Sequence, residues 1–440
     1  MSKVQIIKFC CAVCCVFSFS ISWVLANTKL ELEQKANALT LEATVDKALN
    51  WDSGLSGLVN KHKAQLEYVY QKQTEYYPQP NLSFSKDMNN SKKGYVSSIS
   101  VTQLLYSFGR VSSQIESLKA RGDQSILEVF VGADEVAERA ALMYVDIKRY
   151  EEFIPLAEMQ LQSVENITAL ARERSDAGAA SKADLVQAEA RLETARLQLN
   201  TLHLEHKNLL INLSQMIGEP VTKLSKERIN KELYSSLCRS ANIDFNAVPR
   251  VQMASAGVTV AQKDKEAARR DGMPTIALQG SYQHRINGQY DNGYSRNDHS
   301  IELIVNAPLG SVYTTGSKQR AASYQENAAL DDLKYVKNII ENNWRNNQVK
   351  LDEIMLRIKT LDSRNIFLKE VVKLYKDQYV LLGQRSILDL LNADQELHQS
   401  RRELVAAEYD YLAISISCAS QLGRFRESLN PSNTVRGVSR

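Results

Sequence analysis

The stretch GQRSILDLLNA, residues 383–393, combines side chains that could do chemistry at the beginning of a helix. Ser386 is followed three residues later by Asp389, a spacing at which a serine hydroxyl and an acidic side chain can cap a helix N-terminus. A weaker copy, GAASKADLVQA, begins 205 residues earlier and places Ser181 and Asp184 at the same spacing. The chain is therefore predicted to be an internal duplication in which a helix begins after each turn.

The remaining sequence offers little catalytic chemistry. It contains no phosphate-binding glycine loop, no nucleophile elbow and no HExxH zinc motif. His203 and His206 could be read as a metal pair one helical turn apart. However, His206 occupies the place in a seven-residue repeat that Tyr411 takes in the second copy, and packing explains it better. The sequence predicts no enzyme, no cofactor and no metal.

The N-terminus, residues 1–26, has the pattern of a secretory signal peptide. Lys3 and Lys8 precede an apolar run that ends Val-Leu-Ala, with small residues where a signal peptidase cleaves. A transmembrane anchor is the alternative reading. The run has only about 18 residues, contains three serines and lacks a basic flank on its far side, so the signal peptide is favoured.

Charge and cysteine content narrow the class of protein. Without residues 1–26 the chain keeps 52 basic and 51 acidic residues, a net charge of 52 − 51 = +1, which argues against nucleic acid as a partner. Only Cys238 and Cys418 remain after residue 26, which excludes a small fold held together by many disulfides.

The pattern along the chain predicts two structural repeats, 27–217 and 247–422, separated by a segment at 218–246 and followed by a tail at 423–440. Each repeat begins with a shorter helical pattern; the first ends near Tyr77. Alternating polar and apolar residues then predict strands at about 80–86 and 95–106 in the first repeat and about 274–284 and 299–309 in the second. Long helices are predicted at about 111–177 and 316–382, and short helices at about 182–216 and 386–422.

Seven-residue spacing runs through both short helices, which predicts paired helices in a left-handed supercoil. The strands have one polar and one apolar face, which is typical of a membrane barrel, although a soluble sandwich is the alternative. Known spanning barrels have at least about eight strands, so a barrel built from these four requires several copies of the chain.

These elements and three motifs in order, YPQPNLSF, VTQLLYSFGR and GQRSILDLLNADQEL, resemble the TolC family of outer-membrane exit ducts. The resemblance implies a mainly α fold with a membrane β-barrel. Three copies would form a homotrimer in which a 12-stranded barrel in the outer membrane continues into a 12-helix periplasmic barrel, with 218–246 in an equatorial belt. Pro155, and Trp51 to Gly57 where relatives often have Asn-Pro, depart from the family pattern.

The resemblance also implies a function. Such a duct is passive and works with a periplasmic adaptor and an inner-membrane ATP-driven transporter. The motif GQRSILDLLNADQEL is most similar to members that serve type I secretion of large proteins, particularly adhesins; multidrug efflux is the alternative. A periplasmic adaptor made of a helical hairpin is the rival class, but it would not carry two amphipathic strand pairs.

The resemblance assigns residues to a periplasmic gate. Arg385 and Asp184 would form a pair that holds the tip shut, and Asp389 would line its narrowest point. Asn392 stands where a second acidic ring is expected, so three copies should give weaker cation selectivity. The resemblance also maps both Cys238 and Cys418 to the belt, and the sequence leaves open whether they pair.

Overall fold

The computed structural model describes residues 39–87, 94–239, 242–286, 296–308, 311–382 and 384–429. The predicted signal peptide, Gly383 and the tail beyond residue 429 lie outside these ranges. In chain order the elements are α1 (Leu41–Trp51), α2 (Ser53–Gln73), β1 (Gln79–Asp87), β2 (Gly94–Tyr106), α3 (Arg110–Asp176), α4 (Lys182–Ile217), α5 (Lys231–Cys238), α6 (Pro249–Arg270), β3 (Thr275–Ile286), β4 (Asn297–Asn306), α7 (Ser311–Asp377), α8 (Ile387–Gln421) and α9 (Phe425–Ser428).

The first helical pattern is divided into two helices at Asp52. The Asp52 side chain accepts a hydrogen bond from the backbone N–H of Leu55 at 2.8 Å and so caps α2, a break that the hydrophobic pattern did not predict. The preceding Trp51 lies against Gly218, which ends α4 with a positive φ of 74°. A Cβ at Gly218 would lie 2.3 Å from the Trp51 ring, so glycine is needed there for both conformation and space.

Each long helix, α3 and α7, contains 67 residues, which corresponds to about 100 Å. Pro155 lies inside α3 without ending it. Buried residues on both sides, such as Ile147 and Ala157, pack the helix against its neighbours and offset the one missing backbone hydrogen bond. The second long helix begins five residues earlier than predicted, and residues 378–382 form a π-helical turn.

The four strands form one antiparallel sheet in the order β1-β2-β3-β4. β2 belongs to the first repeat and β3 to the second, so their pairing, for example Ile99 opposite Tyr282, joins the two repeats at the sheet. This contact between hairpins is a tertiary feature that strand patterning does not predict.

Four elements lie side by side at each level of the molecule. Next to the sheet, α3 packs between α2 and α6, and α6 packs against α7. Further from the sheet, α3 packs between α4 and α8, and α8 packs against α7. One edge is therefore formed by β1, α2 and α4 and the other by β4 and α7. No helix within the described ranges carries an apolar stretch of the length that a bilayer crossing requires.

The main core lies where α1, α3, α4 and α8 meet the segment after Gly218. Tyr144, Leu213, Ile416 and Phe425 are almost fully buried in it. Burial raises the pKa of Tyr234 to about 12, because this side chain of α5 enters the same core beside Phe425. The core therefore attaches both the segment 218–238 and the C-terminal helix to the long helix α3.

Cys238 and Cys418 form a disulfide, which answers the question that the sequence leaves open. Their Cα atoms are 5.4 Å apart, and both residues are buried. The Cys238 carbonyl accepts hydrogen bonds from Trp344 Nε1 at 3.0 Å and from Gln348 Nε2 at 2.8 Å, both on α7. The end of α5 is thus bonded covalently to α8 and by hydrogen bonds to α7.

The C-terminal helix α9 is held to α3 by an ion pair in which Arg426 Nε lies 2.5 Å from Asp134 Oδ1. Burial raises the pKa of Asp134 to about 6, and the Arg426 guanidinium acts in the opposite direction. Because an unfolded aspartate titrates near pH 4, this burial favours folding below about pH 4, and the advantage is lost as the pH rises through 6.

Replacing Arg426 with glutamine is expected to destabilise the docked α9 by about 3 kcal/mol at pH 8, where Asp134 would be an unpaired buried carboxylate. At pH 5 the loss should be less than half as large, because Asp134 is then protonated. Hydrogen exchange of residues 425–428 at both pH values measures the opening free energy. Arg424→Gln is the control: Arg424 donates to the Leu237 carbonyl at 3.1 Å, so its loss should not depend on pH. Equal losses for Arg426→Gln at pH 5 and 8 would contradict the assignment.

Candidate functional site

Two turns at the end of the molecule opposite the sheet form the candidate site. In the first, Gly178 has a φ of 71° and follows α3, and the Ser181 hydroxyl accepts a hydrogen bond from the Asp184 N–H at 3.1 Å. In the second, the Ser386 hydroxyl accepts from the Asp389 N–H at 3.2 Å. Both carboxylates therefore lie in the first turn of a helix, where the helix dipole favours negative charge.

A small apolar cluster underlies these turns and brings all four helices together. Ala171 of α3, Ala188 of α4, and Ile387 and Leu390 of α8 are buried in it with Tyr379, which follows α7. Because these residues pack closely, the two turns are held beside each other although they lie about 200 residues apart in the chain. We call this end of the molecule, residues 164–192 and 372–395, the tip.

Arg385 is the basic side chain of the second turn and is 40% exposed. Its guanidinium stacks 4.3 Å from the ring centroid of Tyr375, its Nε donates to Gln378 Oε1 at 3.1 Å, and its Nη1 lies 3.5 Å from Asp389 Oδ2. These contacts hold the side chain close to the end of α7. Within this single chain Arg385 contacts Asp389; its pairing with Asp184 stays a prediction.

Arg174 and Tyr379 are tip residues that sequence reasoning missed. The Arg174 guanidinium donates to the Tyr379 carbonyl and lies 4.6 Å from the centroid of the Tyr379 ring. Burial raises the pKa of Tyr379, while Arg174 acts in the opposite direction. One signal was available: Arg174 precedes the Gly178 turn by one helical turn. This contact locks the end of α3 to the turn after α7.

Asn392 also has a partner that the sequence did not reveal. Arg191 of α4 donates from Nη2 to Asn392 Oδ1 at 3.4 Å and from Nη1 to Gln395 Oε1 at 2.8 Å. The guanidinium places a positive charge where the resemblance expects a second carboxylate. The tip of one chain therefore presents Asp184 and Asp389 as acidic groups beside Arg191 and Arg385.

The other candidate, His206, is partly buried in α4, and this burial lowers the pKa of the imidazole. Among the described residues no group of three or more His, Cys, Asp or Glu side chains is arranged to hold a metal. The chemistry of the tip is therefore that of charged and aromatic side chains at the ends of four helices.

An amphipathic sheet joined to paired helices about 100 Å long, with a charged tip at the far end, defines the architecture of an outer-membrane channel subunit. Residues 45–219 match the family described as Outer membrane efflux protein. This match confirms the resemblance to the TolC family that the sequence predicts. Proteins of this kind are transport ducts and not enzymes, and the match supports an outer-membrane location.

Relatives and solved structures agree with this assignment. The chain is 24% identical to the outer membrane efflux protein BepC of Brucella suis over 65% of the chain and 62% of BepC, and so spans less than two thirds of that relative. It is 24% identical to the alkaline protease secretion protein AprF of Pseudomonas aeruginosa over 89% of the chain and 86% of AprF. The structure of the Campylobacter jejuni CmeC outer membrane channel has the same fold, with a TM-score of 0.73 at 16% identity. The superposition includes 91% of the chain and 89% of CmeC.

Proposed function

We propose that the chain is one subunit of a homotrimeric duct that leads from the outer membrane through the periplasm and serves type I protein secretion. Three copies of the four strands would form a 12-stranded barrel, and the paired helices of three copies would form a 12-helix barrel. An inner-membrane ATP-driven transporter supplies the energy through a periplasmic adaptor. Outer-membrane lipid surrounds the strands.

The observation that carries the proposal is an apolar stripe along one exposed face of α7. Its members recur at steps of 7, 11 or 14 residues, which bring a helix back to nearly the same face, and most are more than 60% exposed. They are Tyr324, Tyr335, Val349, Leu356, Phe367 and Leu374. A stripe of this length along a helix edge requires a partner that covers it.

The opposite edge carries a matching stripe on α4, where steps of 11, 7 and 7 residues place four exposed apolar side chains on one face: Val186, Leu197, Leu204 and Ile211. The sheet is open at β1 and β4, on these same two edges. Contact between α4 of one copy and α7 of the next uses two different surfaces, and such heterologous contacts form a ring when the rotation between copies closes, as we propose for three copies. In the same contact, β1 of one copy would pair with β4 of the next, so that their free backbone N–H and C=O groups form hydrogen bonds.

Ring closure supports the proposed gate as well. Asp184 lies on α4 at one edge, and Arg385 follows α7 at the other, so the pair that holds the tip shut is proposed to form between neighbouring subunits. In each subunit Asp389 would contribute to a single acidic ring. Asn392, held by Arg191, would leave the second ring without negative charge.

The cargo is proposed from the relatives. AprF, by its name a protein of alkaline protease secretion, aligns with most of the chain and favours protein cargo such as a large adhesin. BepC, by its name an outer membrane efflux protein, supports efflux, for example of drugs, as the second candidate.

Deletion of the gene tests the proposal. The deletion strain is expected to lose a secreted or surface-exposed large protein and to keep its drug resistance, and the wild-type gene should restore secretion. A Phe367→Arg variant places a charge in the α7 stripe and should abolish both trimer formation, measured as mass in detergent, and complementation. A strain that secretes normally but becomes drug-sensitive would support efflux instead. A monomeric wild-type protein that still complements would contradict the duct.

A further inference from the structure

One face of the sheet is apolar over most of its area, and under the proposed function this face contacts lipid. Its members alternate along each strand with polar residues of the other face and pair with one another across the sheet. The apolar members are Leu82, Phe84, Ile99, Val101, Ile276, Leu278, Ile301, Leu303 and Val305. The opposite face presents mostly polar side chains such as Ser98, Ser100, Gln279, Ser281 and Glu302.

The register shows how far the strands tilt. At the edge of the sheet nearest the helices, β1 begins at Gln79. Gln79 pairs with Thr102 of β2, and Thr102 pairs with Gln279 of β3. On the other side of β3, the last residue of β4, Asn306, pairs with Thr275. The edge therefore shifts by four residues, about 13 Å, over three strand spacings, about 14 Å. The strands are tilted by about 40° to the edge, within the range of membrane barrels.

The same shift places three basic side chains of the apolar face at one height. Lys86 of β1 pairs with Tyr95 of β2, which in turn pairs with position 286 of β3. His299 of β4 pairs with position 282 of β3. The difference is again four residues, so Lys86 and His299 have the same height above the helix-proximal edge. His284 of β3 lies between them on the same line.

Contacts place Lys86 and His284 beside residues of the same face, and the register places His299 there. Lys86 Nζ lies 5.6 Å from the centroid of the Tyr95 ring, and the His284 Nδ1–H donates to Asn297 Oδ1 at 2.6 Å. Within the described strands this face carries no Asp or Glu, since Asp298 and Glu302 belong to the polar face. The basic residues therefore have no acidic partner on their own face of the sheet.

Exposed aromatic side chains mark the other boundary of the apolar face, near the helices. Tyr77 precedes β1, and Tyr106 and Phe108 stack at the end of β2 with ring centroids 4.6 Å apart. About nine residues of tilted strand separate Tyr106 from the level of His284, which corresponds to a height of about 23 Å at about 2.5 Å per residue. This matches the height of about 25 Å of the apolar band of outer-membrane barrels.

We propose that Lys86, His284 and His299, with Tyr95, form a girdle that binds the phosphate groups of anionic lipid headgroups at the outer boundary of the barrel. A lysine at this level reaches the headgroup layer from an apolar surface, and an imidazole N–H donates a hydrogen bond to a phosphate oxygen. Three subunits repeat the girdle around the barrel. The inference rests on the proposed function, because that function makes the apolar face the lipid face.

The test compares wild-type protein with a Lys86→Gln, His284→Gln, His299→Gln triple variant in phosphatidylcholine vesicles with and without phosphatidylglycerol. Enrichment of phosphatidylglycerol around the protein is measured by the quenching of a labelled lipid. The wild type is expected to show at least about fivefold enrichment that falls with added salt, since a basic residue near an anionic surface contributes about 1 kcal/mol. The triple variant should show none.

Arg285→Gln is the matched control, because Arg285 is adjacent to His284 but belongs to the polar face. It should leave the enrichment unchanged. Single-channel conductance is recorded in the same vesicles. A conducting triple variant with wild-type enrichment would overturn the girdle and leave the duct intact, whereas wild-type protein that never conducts would overturn the duct. Two further results would overturn the girdle. One is that inorganic phosphate by itself displaces the labelled lipid; the other is that Arg285→Gln loses the enrichment while the triple variant keeps it.

Discussion

Replacing Arg385 with serine is expected to open the closed tip and to raise the fraction of time that the channel conducts by about 100-fold. An exposed ion pair contributes up to about 1 kcal/mol, so loss of the three pairs of the proposed trimer shifts the equilibrium between closed and open states by about 3 kcal/mol. The variant also loses the stacking of Arg385 on Tyr375, which holds the turn to the end of α7. Single-channel recording of the purified protein in a planar bilayer measures the change.

The identity of the partner is tested by double substitution. If Asp184 of a neighbouring subunit is the partner, Asp184→Ser should open the channel to a similar degree, and the double variant should add little to either single change. Asp389 lies near Arg385 within one chain and is the competing partner. Opening by Asp389→Ser, with Asp184→Ser remaining closed, would reject the gate between subunits.

Two controls separate charge from opening. Arg385→Lys keeps the charge but loses the planar guanidinium that stacks and donates two bonds, so an intermediate effect is expected. Asn392→Asp restores the second acidic ring beside Arg191 and should increase cation selectivity, measured as reversal potential in a salt gradient, without raising the conductance as opening does. Unchanged reversal potentials would show that position 392 does not line the pore.

Replacing both Cys238 and Cys418 with serine is expected to lower the free energy of unfolding of the helical region by about 5 kcal/mol. The disulfide closes a loop with a sequence separation of 180 residues, and a chain-entropy model gives about 5 kcal/mol for a loop of this size. The loss should appear first at α5, because without the disulfide this short helix is held by the Trp344 and Gln348 hydrogen bonds and by its core contacts.

Tryptophan fluorescence can report this loss locally. Beyond residue 26 the chain contains two tryptophans, Trp51 and Trp344, so a Trp51→Phe background leaves a single reporter that donates to the Cys238 carbonyl. In urea titration, the protein with the disulfide intact should unfold at the highest midpoint. The reduced protein and the double-serine variant should unfold at lower midpoints that are similar to each other. Three equal midpoints, with both thiols open to alkylation in untreated protein, would show that the disulfide does not form.

The sequence by itself determined the elements and the family. Period-two alternation predicted four strands, the seven-residue repeats of the two short helices predicted helix pairing, and Ser181 and Ser386 marked the two turns, because these signals are local and depend on side-chain periodicity. It did not reveal the break at Asp52, since a capping aspartate leaves the hydrophobic pattern unchanged. The helix α3 also continues through Pro155, because packing of the neighbouring residues outweighs the loss of one backbone hydrogen bond.

Only the tertiary structure decided which distant residues meet. The pairing of β2 with β3, the disulfide between Cys238 and Cys418, and the contact of Arg174 with Tyr379 join positions far apart in the chain, and no local pattern specifies such partners. The tilt of the sheet, and with it the common height of Lys86, His284 and His299, follows from strand register, which single strands do not encode. The serine caps and the carboxylates of the first turns were therefore predictable from the sequence, but the contact of Arg191 with Asn392 follows only from the packing of α4 against α8.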